Sequence, residues 1–171
     1  ADWLHQRRKE LLPVPYFHLV FTLPPQLRGV VYRLQEPLYA ILMKAAAEAL
    51  IKVAADPHYV GGLIGVMAVL HTWTRTLTYH PHVHLLVTAG GVSDDGRHWM
   101  AGPEGFLLPV RALSKIVGAR FRDALEKKKP EVFRTLPRKT WKRAWCCYCK
   151  PYGHGKQAVL RQRMPIDRAL H

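Results

Sequence analysis

Three histidines alternate along one short segment of the chain, in the run YHPHVHLLVTA. Because alternate residues of a β-strand project from the same face, His80, His82 and His84 would share one side, while Val83 and Leu85 would face the other. Two imidazoles about 6–7 Å apart at the backbone can converge on one divalent cation. Imidazole suits manganese, zinc, nickel or iron, and it holds magnesium when phosphate and water supply oxygen ligands. We therefore predict a divalent metal site on this strand, rather than a face of ordinary surface histidines.

The third protein ligand of such a site is open among three histidines. His71 ends the preceding apolar run, GGLIGVMAVLHTW, which is the neighbouring strand in our interpretation. His18 lies on the polar side of the first predicted strand, VPYFHLVFTL, and His80 begins the histidine run itself. We rank His71 first, then His18 and then His80, because the end of an adjacent strand lies beside the histidine run.

The elements that must position these histidines follow from hydrophobic periodicity. It predicts strands at residues 14–23, 61–73, 79–89 and 144–150, with helices at 37–55 and 109–129. The order strand, helix, strand, strand, helix, strand is typical of an α+β fold of the ferredoxin-like or split βαβ kind, an antiparallel sheet with both helices on one face. The other face stays open for a ligand. Residues 14–160 would form this core, with 1–13 as a lead-in and 161–171 as a divergent tail.

The chain has 171 residues, of which 49% are hydrophobic and 22% are charged. This length and composition predict one globular domain with a hydrophobic core. No uncharged apolar run reaches the roughly 18 residues that a bilayer span needs, so we expect no membrane association. The opening ADWLHQRRKE is polar, and Cys146, Cys147 and Cys149 lie too close together for a disulfide framework. We therefore expect a cytoplasmic protein whose cysteines are buried strand residues rather than zinc ligands.

Positive charge is concentrated in the last third of the chain. Residues 1–110 carry nine basic and eight acidic side chains, whereas residues 111–171 carry seventeen and four. A polyanion, most simply nucleic acid, is the natural partner of such a field, and interleaved aromatic rings can stack on unpaired bases. Of these rings, we expect Trp145 in the core and leave Trp141 undecided. The candidate DNA-binding residues are Lys127, Lys128, Lys129, Arg138, Lys139, Lys142, Arg143 and Lys156.

The segment HPHVHLLV resembles the His-hydrophobic-His motif of the HUH endonuclease superfamily, which cuts single-stranded DNA. Longer segments, including LLPVPYFHLVFTLP and FLLPVRALSKIVGARF, resemble the two-tyrosine rolling-circle transposases of bacterial insertion sequences. The resemblance covers roughly residues 7–160. It implies that His82 and His84 are catalytic ligands of Mg²⁺ or Mn²⁺, and that the partner is single-stranded or hairpin DNA. It also implies a bacterial, nucleoid-associated protein that nicks and joins strands through a phosphotyrosine intermediate.

The sequence departs from that family where the nucleophilic tyrosines belong. Gln162 stands at the expected position of the first tyrosine, and Pro165 would disturb the helix that carries it. We therefore expect a truncated copy without its nucleophile; Tyr148 and Tyr152, four residues apart, are weak substitutes. The alternative is a non-catalytic module that binds single-stranded nucleic acid. A histidine-ligated metalloenzyme for a small substrate is a third hypothesis, which the charge distribution opposes.

Overall fold

The computed structural model describes residues 9–74, 76–105, 108–142 and 145–155. Five strands and four α-helices lie in these ranges. The strands are β1 (Pro15–Thr22), β2 (Leu63–Trp73), β3 (Tyr79–Val92), β4 (Trp99–Ala101) and β5 (Cys146–His154). The helices are α1 (Arg28–Arg33), α2 (Gln35–Ala54), α3 (Val110–Lys128) and α4 (Pro130–Thr135). Short 3₁₀ helices precede α1 at Pro25–Leu27 and β5 at Arg138–Lys142.

The strands form one antiparallel sheet in the order β2-β3-β1-β5, and β4 pairs with the far end of β3. Without the short β4, this is the strand order of the ferredoxin-like fold, with each long helix crossing between strands. The predicted α+β class is therefore confirmed, and so is the order of its principal elements. Among the described residues, no helix combines the length and the apolarity that a membrane crossing requires.

Alternation along the two central strands separates the faces of the sheet. On β1, Phe17, Leu19 and Phe21 are buried against the helices, whereas His18 is half-buried on the opposite face. On β3, the inward side chains are fully buried, and the intervening histidines are half-buried on the open face. The period of two in the sequence therefore decides which residues build the core and which remain accessible.

The two long helices close the core over one face of the sheet. Helix α2 presents a stripe of apolar side chains that includes the fully buried Leu38 and Leu42, and α3 presents Leu113 and Phe121. The polar stripe of α2, which consists of Lys44, Glu48 and Lys52, faces outward. Its Glu48 accepts a hydrogen bond of 3.0 Å from Arg120 of α3, which ties the outer sides of the helices together.

Several bounds differ from the prediction for identifiable reasons. Strand β3 does not end before Gly90 and Gly91 but continues through them, because these residues allow close backbone approach. A Cβ atom on Gly91 would lie 2.7 Å from the carbonyl oxygen of Leu63. Helix α2 begins two residues earlier than predicted. The short helices α1 and α4 were not predicted, because six residues are too few for a periodic signal.

Candidate metal centre

Three histidines of β2 and β3 converge on the open face of the sheet. His71 and His82 are directly paired across the two strands, and His84 follows two residues along β3. One ring nitrogen of each lies within 4.8 Å of the others, and all three side chains are half-buried. The ring centroids of His71 and His84 are only 4.2 Å apart. We call these three residues the histidine triad; they form a group that could hold a metal ion.

A backbone contact orients the ring of His82. Its Nδ1 lies 2.6 Å from the carbonyl oxygen of His80, so Nδ1 carries the proton and donates it. This fixes the tautomer and leaves the lone pair on Nε2. Histidine ligands of metals are commonly held through their second nitrogen in this way.

The ring of His84 is held by a fourth histidine. Nε2 of His18 lies 2.8 Å from Nδ1 of His84, and the two rings stack with centroids 5.0 Å apart. The Nε2 atom of His84 is buried and has no hydrogen-bond partner among the described residues. A buried polar atom without a partner is costly, and a metal ion would satisfy it. The donors present therefore fit a divalent metal.

The surroundings of His84, His71 and His18 favour neutral imidazoles. Burial, together with the neighbouring histidines, lowers the pKa of His84 to about 3. Burial also lowers the pKa of His71, with a smaller contribution from His82, and the pKa of His18, with smaller contributions from Lys150 and His71. A neutral imidazole has the lone pair that a metal needs, and these shifts favour the neutral form.

His80, the third-ranked ligand, has a different partner. Nη2 of Arg28, at the start of α1, donates a hydrogen bond of 2.6 Å to Nδ1 of His80. His80 does not belong to the histidine triad. Sequence reasoning missed Arg28, because no local pattern links it to a residue 52 positions away.

Both candidate tyrosines lie on the triad's side of the sheet. Tyr148 pairs with Val20, and Val20 pairs with His84. The backbone of Tyr148 is therefore two strand spacings, about 10 Å in total, from the backbone of His84. The ring of Tyr152 lies 5.2 Å from that of His18. Both belong to β5 and not to a helix, so their four-residue spacing does not make a helical pair.

The basic candidates occupy two places. Lys127 and Lys128 end α3 on the helical side, followed by Lys129, whereas Arg138, Lys139 and Lys142 belong to the 3₁₀ helix before β5 and are exposed. Strand β5 begins at Cys146, opposite Thr22, whose other neighbour is His82. The second group therefore lies at the end of the sheet that carries His82, but on the helical side, where Trp141 and Lys142 line a cavity with Ser114 and Gly118 of α3. Arg143, Lys156, Gln162 and Pro165 lie outside the described residues, so the expectations placed on them stay predictions.

Trp141, Trp145 and Cys149 pack into or against the core. Trp145 is 6% exposed, and its ring fits against Gly118, where a Cβ atom would come within 2.8 Å. This confirms its predicted place in the core. Trp141, left undecided, is half-buried and stacks on Phe133. Burial raises the pKa of the Cys149 thiol to about 11, as expected for a cysteine that packs against the core.

Comparison with known proteins gives the class of this molecule. Residues 65–163, more than half of the chain, match the family model described as "Y2_Tnp: Putative transposase". The matched range contains the entire histidine triad. The chain therefore belongs to this transposase family, and the resemblance to two-tyrosine insertion-sequence transposases is confirmed.

Two curated relatives are similar to the chain. The "Putative transposase y4qJ" of Sinorhizobium fredii is 40% identical over 176 residues, which cover 94% of this chain and 44% of that protein. The "Transposase for insertion sequence element IS801" of Pseudomonas savastanoi pv. phaseolicola is 40% identical over 95 residues, or 56% of this chain and 22% of that protein. The chain thus spans less than half of the length of either relative. No solved structure matches it significantly.

Proposed function

We propose that the chain carries the metal-binding core of a DNA transposition enzyme that nicks and joins single strands. The convergence of His71, His82 and His84 on the open face of the sheet carries this proposal. Membership of the transposase family supports the reaction class. Single-stranded or hairpin DNA is then the partner, and Mg²⁺ or Mn²⁺ is the metal.

The triad would hold the metal through ring nitrogens. When bound, the ion supplies a Lewis acid that neutralises charge on the non-bridging oxygens of the scissile phosphate. The chain's own residues prepare this site. The carbonyl of His80 fixes the tautomer of His82, and His18 holds the ring of His84. Three nitrogen donors favour Mn²⁺ over Mg²⁺, which relies more on oxygen ligands.

The nucleophile of the proposed reaction is a tyrosine hydroxyl, as the family resemblance implies. Its oxygen bonds to phosphorus while the 3′ oxygen of the strand leaves, so the 5′ end is stored as phosphotyrosine and can be rejoined without ATP. We propose that neither Tyr148 nor Tyr152 has this role, because both are fixed on β5 rather than on the helix that the family uses.

Metal binding is tested by titrating Mn²⁺ into the protein and following the free ion by electron paramagnetic resonance. We expect one site in the wild type, lost in His82→Ala and in His84→Ala. His58→Ala is the matched control, because the His58 side chain is 91% exposed and contacts Asp56. Failure of the wild type to bind Mn²⁺, or undiminished binding by His82→Ala, would rule out the proposed site.

A DNA experiment separates the enzyme core from a non-catalytic binding module. The exposed cations of the second 3₁₀ helix, Arg138, Lys139 and Lys142, would serve such a module as well as an enzyme core, which makes the module a second candidate. A labelled single-stranded hairpin is incubated with the protein, with and without Mn²⁺. An enzyme core holds the strand more tightly with Mn²⁺, and His82→Ala abolishes the gain. DNA binding that is equally tight with and without Mn²⁺ supports the module. A covalent protein–DNA adduct that forms in the wild type and is lost in Tyr148→Phe would refute the proposal that Tyr148 is not the nucleophile.

A further inference from the structure

Three aromatic side chains form a partly exposed patch beside the histidine triad. Tyr32 lies on α1, Trp73 ends β2 and Tyr79 begins β3. We call these three residues the aromatic patch. Tyr32 is 53% exposed and Trp73 is 51% exposed, although aromatic rings of this size normally bury most of their surface. An exposed cluster of large apolar groups is a common mark of a binding surface.

The patch is held in place although it is not covered. The hydroxyl groups of Tyr79 and Tyr39 share a hydrogen bond of 2.7 Å, which anchors the central ring to α2. The rings of Tyr32 and Trp73 make edge contacts with Tyr79, at centroid distances of 5.0 and 5.4 Å. Burial and the contact with Tyr39 raise the pKa of Tyr79, so its hydroxyl is a poor nucleophile. The arrangement therefore fits a rigid contact surface better than a reactive group.

The patch lies at the end of the sheet next to the triad. Trp73 pairs with Tyr79 beyond a register shift that follows His71, and the contact of Tyr79 with Tyr39 of α2 places the patch towards the helices. His80 connects the two groups, because it follows Tyr79 and its ring centroid is 5.5 Å from that of His82. Two arginines border the patch: Arg28 contacts His80, and Arg33 follows Tyr32 on α1 and is exposed. Aromatic faces with neighbouring cations are the combination that binds unpaired nucleotides, whose bases stack and whose phosphates are anionic.

We propose that the aromatic patch stacks unpaired bases of the DNA strand next to the phosphate held at the triad. This inference rests on the proposed function, because it assigns the patch to the same DNA substrate. Tyr32 and Trp73 each present a free ring surface to a base, and Tyr79 sets the distance between them. Arg28 and Arg33 lie where the backbone of that strand would pass.

The test compares single-stranded with duplex DNA in fluorescence anisotropy, using a labelled oligothymidine and its duplex. We expect Trp73→Ala and Tyr32→Ala each to weaken single-strand binding about 10-fold. Duplex binding and Mn²⁺ binding should stay unchanged, and Trp73→Phe should restore most of the affinity. Trp99→Ala is the matched control, because Trp99 is 41% exposed but pairs with Val92 at the opposite end of β3.

A second measurement uses the wild-type protein and so does not depend on how a variant folds. Oligonucleotides containing bromodeoxyuridine are photo-cross-linked to the protein, and the modified peptides are mapped. Cross-links at Trp73 or Tyr32 support the inference. Three results would refute it. The first is cross-links confined to Trp99 or Trp141, and the second is unchanged single-strand affinity in both alanine variants. The third is a wild-type dimer that the Trp73→Ala substitution dissociates. If the wild type does not bind Mn²⁺ but Trp73 or Tyr32 still cross-links to single-stranded DNA, the proposed metal site is refuted and the contact of the patch with DNA is not.

Discussion

Nε2 of His18 lies 2.8 Å from Nδ1 of His84, diagonally across the pairing of β1 with β3. If His84 offers Nε2 to a metal, Nδ1 carries the proton and donates it to His18. His18 therefore acts on the proposed site through His84, as a positioning residue. His18, which the sequence ranks second as a direct ligand, lies outside the group of three histidines that could hold a metal ion.

Replacing His18 should weaken the metal site without destroying it. We expect His18→Ala to lower the affinity for Mn²⁺ about 10- to 100-fold, because the ring of His84 loses the contact that orients it. Isothermal titration with Mn²⁺ measures the change. His98→Ala serves as the control, since its ring is 72% exposed and contacts Asp95 in a distant turn. Equal affinities of His18→Ala and wild type would show that the contact has no such role.

The metal-free protein should lose stability in mild acid. The folded pKa of His84, about 3, lies below its ordinary value of 6.5, so below pH 6.5 the unfolded chain binds more protons and folding becomes less favourable as the pH falls towards 3. We expect His84 by itself to lower the free energy of unfolding by about 1 kcal/mol between pH 7.5 and pH 5, after allowance for partial solvation of the ring. His71 and His18, whose pKa values are also lowered, add to the loss. Urea unfolding in EDTA measures this.

His84→Gln is the informative variant for that experiment, because it keeps a polar side chain that does not titrate. Its stability should change less between the two pH values than that of the wild type. Hydrogen bonds lower the pKa values of Asp56 and Asp95, so these two carboxylates stay ionised at pH 5 and do not obscure the result. An identical pH dependence in both proteins would contradict the assignment to His84.

The basic 3₁₀ helix should contribute to DNA affinity through phosphate contacts. We expect the combined change of Arg138, Lys139 and Lys142 to alanine to weaken single-strand binding and to reduce its salt dependence. If all three contact phosphates, the slope of log K against log salt falls by about 2. Changing Lys44 and Lys52 on α2 is the control, because these exposed cations lie on the outer polar stripe. Parallel salt plots for wild type and triple variant would exclude the contacts.

Glycine at position 91 should be required for the strand pairing that builds the site. In Gly91→Ala, the new Cβ would lie 2.7 Å from the backbone oxygen of Leu63, so β2 and β3 must separate locally. We expect a loss of stability of about 1–3 kcal/mol. Gly29→Ala is the matched control; it has no atom within 4 Å and lies in α1, so it should be neutral or slightly stabilising. Thermal unfolding of both variants checks this.

The sequence alone determined the parts of the structure that depend on local periodicity. Alternation separated His82 and His84 from the buried Val83 and Leu85, and apolar spacing predicted both long helices to within about two residues. These features could be predicted because each depends on neighbours a few positions away. The extension of β3 through Gly91 could not, since it depends on backbone atoms of another strand.

Only the tertiary structure decided which histidines form the triad and which contact it from outside. The register of β2 against β3 places His71 opposite His82, the pairing of β1 brings His18 to His84, and α1 carries Arg28 to His80. No local pattern encodes these contacts, because a shift of one residue in strand register would turn every side chain to the opposite face. The alternating histidines define the candidate ligands, and the long-range strand pairing selects which of them meet.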